Sequence, residues 1–285
     1  MYNFVIKDNL KPGLYCVSTP IGNLGDITLR ALYILNKSDL ILSEDTRVSS
    51  KLLAKFNIKT KLLSNHKFNE KKNIYNILDL IRKNKIISII SDAGTPAISD
   101  PGRLLINECI NNELQVFTVP GASAVTSAIS ISGFSDNYLF CGFLSEKKSD
   151  RKRLFEKIFK LNNSIVFFIP PKKFEKVSNE IQIYFKDRKI LITREMTKLH
   201  EEYIRDDVNN IDKIDISQKG EMTVVISEIL NIQNRLQVID ESVKKKITKL
   251  TKKMTIKDIT SKISKENNIS KKIIYEFCIK KKNEI

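Results

Sequence analysis

Cysteine and histidine are scarce. Cys16, Cys109, Cys141 and Cys278 lie far apart with no C-x-x-C pair, and His66 and His200 are the only two histidines. This excludes a thiolate-rich zinc site and a disulfide framework, so no metal is expected. Scattered cysteines in a chain of this size read as small buried residues in a reducing compartment. No stretch approaches the roughly eighteen apolar residues of a membrane span. The opening segment Met1 to Leu10 carries Lys7 and Asp8 inside its short apolar patch, unlike a secretion leader. The expectation is a soluble, cytoplasmic protein with no membrane partner. Internal repeats are absent, and low complexity is limited to lysine clusters such as Lys244-Lys245-Lys246.

What is present is length and positive charge. The 285 residues, 41% hydrophobic, suffice for two cores and a smaller element. The formal charge of +16 points to a polyanionic partner, although wealth in Lys, Ile and Asn also reflects codon bias. Residues 241–285 hold fourteen lysines against five carboxylates, a net +9, so the basic excess sits in the tail.

The first 120 residues alternate short β-rich runs with segments of helical period, the pattern of a parallel sheet covered by helices. Strands are predicted at Gly13 to Thr19, Leu40 to Ser43, Ile86 to Ser91 and Leu114 to Val119, with helices at Thr28 to Asn36 and Lys71 to Lys83. A second α/β unit begins near Tyr138, with strands at Tyr138 to Phe143, Ser164 to Ile169, Lys189 to Thr193 and Met222 to Ser227. Beyond Asn231 the pattern is helical. Thr255 to Asp258 reads as a capping box, and the stripes Ile256/Ile259/Ile263 and Ile273/Ile274/Phe277 suggest a small helical hairpin. The division expected is 1–120, 121–230 and 231–285.

Several loops carry polar groups suited to chemistry. Ser91-Asp92-Ala93-Gly94-Thr95-Pro96 follows a buried strand, where open α/β sheets bind ligands. Gly94 would let the main chain approach an amino-acid moiety, while an ordinary strand-to-helix turn is the alternative. Thr19 to Asp26 has two glycines but matches no nucleotide motif, and as a plain turn it would use Asp26 or Thr28 as a helix cap. Glu44, Asp45 and Arg47, with His66 and Glu70, could converge on one rim. Each also has a structural explanation: Asp45 or Thr46 as a cap, Arg47 paired with Glu44, His66 as a surface histidine. Arg194 to Lys198 and Lys219 to Thr223 are charged loops at strand ends, for which spacing alone decides nothing.

Taken together and in order, Ser18 to Ala31, Ser43 to Arg47, Ser91 to Gly102, Val119 to Ala124, Arg194 to Lys198, Lys219 to Met222 and Met254 to Tyr275 resemble the ribosomal RNA small subunit methyltransferase I family, in the tetrapyrrole-methylase-like superfamily. Departures are mild: Cys16, Ser18 and Val48 stand where other residues are more usual, and Glu146 to Lys189 is generic. The resemblance implies two α/β domains of the tetrapyrrole methylase type with S-adenosylmethionine in the cleft between them, a helical tail, and a homodimer. It also implies 2′-O-methylation of a cytidine in small-subunit (16S) ribosomal RNA, free or within the assembled 30S particle. Asp92, Ala93, Gly94 and Thr95, with Pro120, Gly121 and Ser123, would then hold the methionine part, and Gly220 and Thr223 would lie near the adenosine.

The chemistry needs in-line alignment and a proton acceptor, because a ribose hydroxyl is a poor nucleophile. Glu44, Asp45, His66 and Glu70 are the acceptor candidates, Arg47 completes the catalytic rim, and Asn23, Arg30, Arg194, Lys271 and Lys272 are candidate RNA contacts. A tetrapyrrole C-methyltransferase would have no use for a basic tail. A non-catalytic RNA-binding factor would bind no S-adenosylmethionine.

Overall fold

The computed structural model describes residues 10–229, 241–251, 254–267 and 269–283. Residues up to Glu228 form one compact unit and those from Ile229 onward a second.

Within the first unit lie two five-stranded sheets. The first has strands β1 (Gly13–Val17), β2 (Leu40–Ser43), β3 (Leu62–Ser64), β4 (Ile86–Ile90) and β5 (Val116–Val119) in the order β3-β2-β4-β1-β5. All neighbours are parallel. Helices α1 (Leu29–Lys37), α2 (Thr46–Lys55), α3 (Glu70–Arg82) and α4 (Arg103–Asn111) make the crossovers.

Alternate strand residues serve opposite faces. Leu14, Leu40, Leu42, Ile87 and Ile89 pack with Ile77, Leu78 and Ile81 of α3 and Leu105 of α4. Tyr15, Val17, Ile41 and Ile90 pack with Ala31, Ile34 and Leu35 of α1 and Leu53 of α2. Burial on both faces explains why these strands read as continuous apolar runs. Because every strand points the same way, the loops after β1 to β5 open on one edge, where ligands of such sheets bind.

Helix α5 (Ala124–Ser130) leads to the second sheet. Its strands are β6 (Tyr138–Phe143), β7 (Ser164–Phe168), β8 (Lys189–Arg194), β9 (Glu202–Asp207) and β10 (Met222–Ile226), in the order β6-β7-β10-β8-β9. Only β6 and β7 pair in parallel. Helices α6 (Lys148–Ile158) and α7 (Pro171–Phe185) cover one face through Phe155, Phe174, Ile181 and Phe185. On the other face Val166, Leu191 and Val225 meet Val125 and Ala128 of α5 together with Ile21 from the loop after β1. That packing brings the loop edge of the first sheet against the second.

Among its described residues the tail has three helices, α8 (Glu241–Leu250), α9 (Ile256–Asn267) and α10 (Lys271–Asn283), where the sequence suggested a small helical hairpin. Val243 and Ile247 of α8 join Ile259, Ile263, Ile274 and Cys278 in one apolar cluster. The lysine run 244–246 hid that stripe. Thr255 does cap α9, its Oγ1 accepting the Asp258 N–H at 3.3 Å while meeting Asp258 Oδ2 at 2.6 Å. No helix among the described residues is long and apolar enough to cross a membrane.

Candidate active site

A cavity of about 470 Å³ opens where loops of the two sheets meet. From the first sheet it is lined by Ile21, Glu44, Asp92 to Thr95 and Ile98 to Asp100. From α5 and the second sheet come Ser123 to Val125, Phe143, Phe168 to Pro170, Thr193, Met196 and Gly220 to Thr223. Its size is that of a small-molecule site, and its walls are apolar with a few convergent polar groups.

The segment after β4 is the floor. Gly94 sits at φ +78°, a conformation that L side chains adopt at a cost. There its N–H and C=O exchange hydrogen bonds with Thr19, at 3.1 and 2.9 Å. Thr95 Oγ1 donates to the Ala122 carbonyl at 3.2 Å and lies 2.9 Å from Ser18 Oγ. Ala97 and Ser99 also adopt positive φ, both at 65°, a concentration of backbone strain at the cavity. Across from it, Gly220 at φ +93° leaves room for Glu195, whose carboxylate would lie 2.6 Å from an added Cβ. Glu195 and Glu221 share Lys198, each at 2.9 Å, and the Asn23 N–H donates to Thr197 Oγ1 at 2.9 Å. The loop after β1 is thereby fastened to the loop after β8.

Four acidic residues line the cavity, Glu44, Asp92, Asp100 and Glu221, the last of them paired with Lys198. Burial pushes Glu44 up, and the neighbouring Asp92 adds to this. Asp92 is likewise raised by burial, while its Oδ1 accepts the Asp45 N–H at 3.1 Å. Asp100 is pushed up to about 6, first by burial and then by Glu44, against a hydrogen bond from Ser91. Concentrated negative charge around a half-apolar cavity suits a cationic ligand.

Of the residues singled out from sequence, Glu44, Asp92, Ala93, Gly94, Thr95, Ser123, Gly220 and Thr223 line the cavity, whereas Pro120 and Gly121 do not. Asp45, Arg47, His66 and Glu70 stand outside the lining as well. Asp45 caps α2, taking the Arg47 N–H at 2.8 Å, and the Arg47 guanidinium pulls its carboxyl down to about 2. Arg47 thus pairs with Asp45 at 2.6 Å, with its own side chain 87% exposed. His66 Nδ1 accepts the Phe68 N–H at 3.2 Å. Glu70 is buried, and its Oε1 accepts the Leu105 N–H at 3.1 Å, tying α3 to α4.

Among the proposed RNA contacts, Asn23 and Lys271 are exposed, and Arg30 is exposed with its guanidinium donating to the Thr118 carbonyl at 3.0 Å. Arg194 is mostly buried, bound to Glu202 at 2.8 Å and to the Lys219 carbonyl at 3.2 Å. The Lys272 side chain lies outside the described residues. Missed from sequence were Ile98 to Asp100, Phe143 and Phe168 to Pro170. Asp100 stood inside the Ser91 to Gly102 block, a signal that was available.

Burial raises the thiols of Cys16, Cys109 and Cys141 to about 11, and all four cysteines are free. Among the described residues no group of three metal-ligating side chains is found.

The profile of the tetrapyrrole (corrin/porphyrin) methylases matches residues 13–212. Among solved structures of similar fold are a diphthine synthase, with TM-score 0.60 at 13% identity over 75% of this chain and 89% of that one, and a uroporphyrin-III-C-methyltransferase from Thermus thermophilus, with TM-score 0.55 at 14% identity over 79% and 98%. Fold and cleft thus define a methylase of the tetrapyrrole type.

Closer in sequence are proteins named ribosomal RNA small subunit methyltransferase I. That of Thermotoga maritima is 46% identical over 75% of this chain and 97% of its own length. The Rickettsia prowazekii protein is 37% identical over 96% and 98%, and the Vibrio cholerae protein 35% over 97% of each. The chain belongs to the ribosomal RNA small subunit methyltransferase I family.

Proposed function

We propose that the chain transfers a methyl group from S-adenosylmethionine to the 2′-hydroxyl of a cytidine in small-subunit (16S) ribosomal RNA. The observation that carries this reading is the acidic, half-apolar cavity shared by both sheets, in a chain of this family.

The residues present fit the donor. Ile21, Ile98, Phe168 and Met222 offer apolar walls, and Glu44, Asp92 and Asp100 set negative charge against an ammonium and a sulfonium. Main-chain groups of Asp92 to Thr95, beside the Pro120 to Ser123 turn, suit the methionine end, with Gly220 and Thr223 on the adenosine side. When bound, S-adenosylmethionine supplies an electrophilic methyl group on a cationic sulfur that departs neutral.

The protein aligns the ribose hydroxyl and removes its proton. Glu44 is the acceptor that suits best, because it alone among the rim candidates lines the cavity and burial makes it more basic. Arg47, exposed at the same rim, takes a phosphate with Asp45 holding its orientation. Glu70 serves by fixing the start of α3, and Arg194 by bracing the loop before β10.

In this reading residues 1–120 supply the catalytic rim and 121–230 share the cofactor cleft. The basic tail, 231–285, docks RNA through lysines that include Lys271 and Lys272, and Asn23 and Arg30 are further RNA contacts. The working form is a cytoplasmic homodimer acting on structured RNA or the 30S particle.

The test is incubation with methyl-labelled S-adenosylmethionine and either 16S RNA or 30S particles, followed by digestion to nucleosides. Label in 2′-O-methylcytidine is expected. Label confined to base-methylated nucleosides, or none from either substrate, would overturn the reading.

A further inference from the structure

Two exposed aromatic rings, one just before α3 and one within it, are absent from the cavity lining. Phe68 is 93% exposed and Tyr75, on α3, is 76% exposed. A single ring in water is unremarkable, but two in one short segment with basic neighbours form a surface.

Phe68 is held in place. Its N–H donates to His66 Nδ1 at 3.2 Å, and the His66 N–H donates to Asn69 Oδ1 at 2.7 Å. Asn69 and Asn73 both donate to the Ser64 carbonyl, at 3.1 and 2.9 Å. The Phe68 ring stands edge-on to the His66 ring, 6.0 Å between centroids. Its segment starts next to the cavity lining, because Ser64 of β3 pairs with Ser43 of β2 and the Asn65 N–H donates to the Ser43 carbonyl at 2.7 Å, one residue before Glu44.

Lys67, Lys71 and Lys72 are exposed around the rings, while Glu70, the one carboxylate in residues 66–75, is turned inward to Leu105. Phe68 lies in the turn just before α3 and Tyr75 in the helix's second turn. Aromatic faces interleaved with cations are the chemistry that holds unstacked bases of single-stranded nucleic acid while pairing its phosphates.

Resting on the proposed RNA substrate, we infer that Phe68 and Tyr75, with the lysines between them, form a stacking ridge for the single-stranded segment flanking the target nucleotide. The ridge positions RNA and leaves the cofactor alone. It is distinct from the tail, which contributes charge at the other end of the sequence.

The test compares wild type with Phe68→Ala, Tyr75→Ala, the double variant and Phe68→Trp. Affinity for a single-stranded fragment of small-subunit ribosomal RNA is read by fluorescence titration, KM and kcat by methyl transfer to the full substrate, and association by sedimentation. Each alanine should raise the RNA Kd and KM about five- to fiftyfold, Phe68→Trp should restore both, and S-adenosylmethionine affinity should not change. A double variant with wild-type RNA affinity would overturn the inference. So would loss of self-association in the alanine variants, which would make the face a contact between copies. Absence of methyl transfer by the wild type would sink the functional reading, and the direct titration would still decide the ridge.

Discussion

Asp100→Asn should make the protein more stable at alkaline pH while impairing its site. Asp100 lies at the end of the strained loop after β4, on the cavity wall, with its carboxyl raised from 3.8 to about 6 by burial, by Glu44 and by Asp92. Two units at about 1.4 kcal/mol each set a ceiling near 3 kcal/mol, and partial exposure reduces this to about 1 to 2. The folded state holds the proton more tightly than the unfolded chain. Stability from this group is therefore present below pH about 4, falls as pH rises to about 6, and stays lost above. Asparagine cannot ionise and escapes that loss. Melting at pH 8 should rise by about 2 to 6 °C relative to wild type, with little difference at pH about 3, below the unfolded value. Calorimetry should show weaker S-adenosylmethionine binding in the variant, and in the wild type as pH drops through 6. An Asp100→Asn protein that melts at or below wild type at pH 8 would refute the reasoning, as would an equal increment at both pH values.

Gly94→Val forces a β-branched residue to φ +78°, with Ile21 Cγ2 3.4 Å from its Cβ, so it should cost about 1 to 2 kcal/mol and abolish cofactor binding in a protein that still folds. Unchanged calorimetric affinity would remove the loop from the cofactor site. Glu44→Gln should lower kcat by roughly a hundredfold with little change in melting temperature, whereas Glu70→Ala should cost about 1 to 3 kcal/mol by stranding the Leu105 N–H, with turnover per folded molecule nearly kept. Rates and melts measured on both variants check the contrast. Truncation at Asp240 should flatten the salt dependence of RNA affinity by roughly 0.7 to 0.9 log units per lost phosphate contact, leaving cofactor binding intact. Equal slopes would show that the tail lysines do not meet phosphate.

Strands β1, β2, β4 and β5 of the first sheet were legible because both faces are buried, which makes runs such as β4 nearly all apolar, whereas the three-residue β3 is too short to stand out. Strand β9 was not, because an edge strand with alternating exposed Tyr203, Arg205 and Asp207 looks like a charged loop until β8 pairs with it. Helix α8 was obscured by lysines on its wet face, although Val243, Ile247 and Leu250 keep helical spacing. At the site, the loops after β2 and β4 could be read from their position at strand ends. Phe143 and Phe168 to Pro170 could not, since only the packing of the second sheet against Ile21 and α5 brings them to the cavity. Arg47 took Asp45 instead of Glu44 because the cap of α2 already aims that carboxylate at it.

The most direct test of the central claim is a mass map of 2′-O-methyl groups across small-subunit ribosomal RNA from cells with and without this chain. One 2′-O-methylcytidine should disappear with the protein and return with the wild type but not with Gly94→Val. Identical maps with and without the protein would contradict that claim.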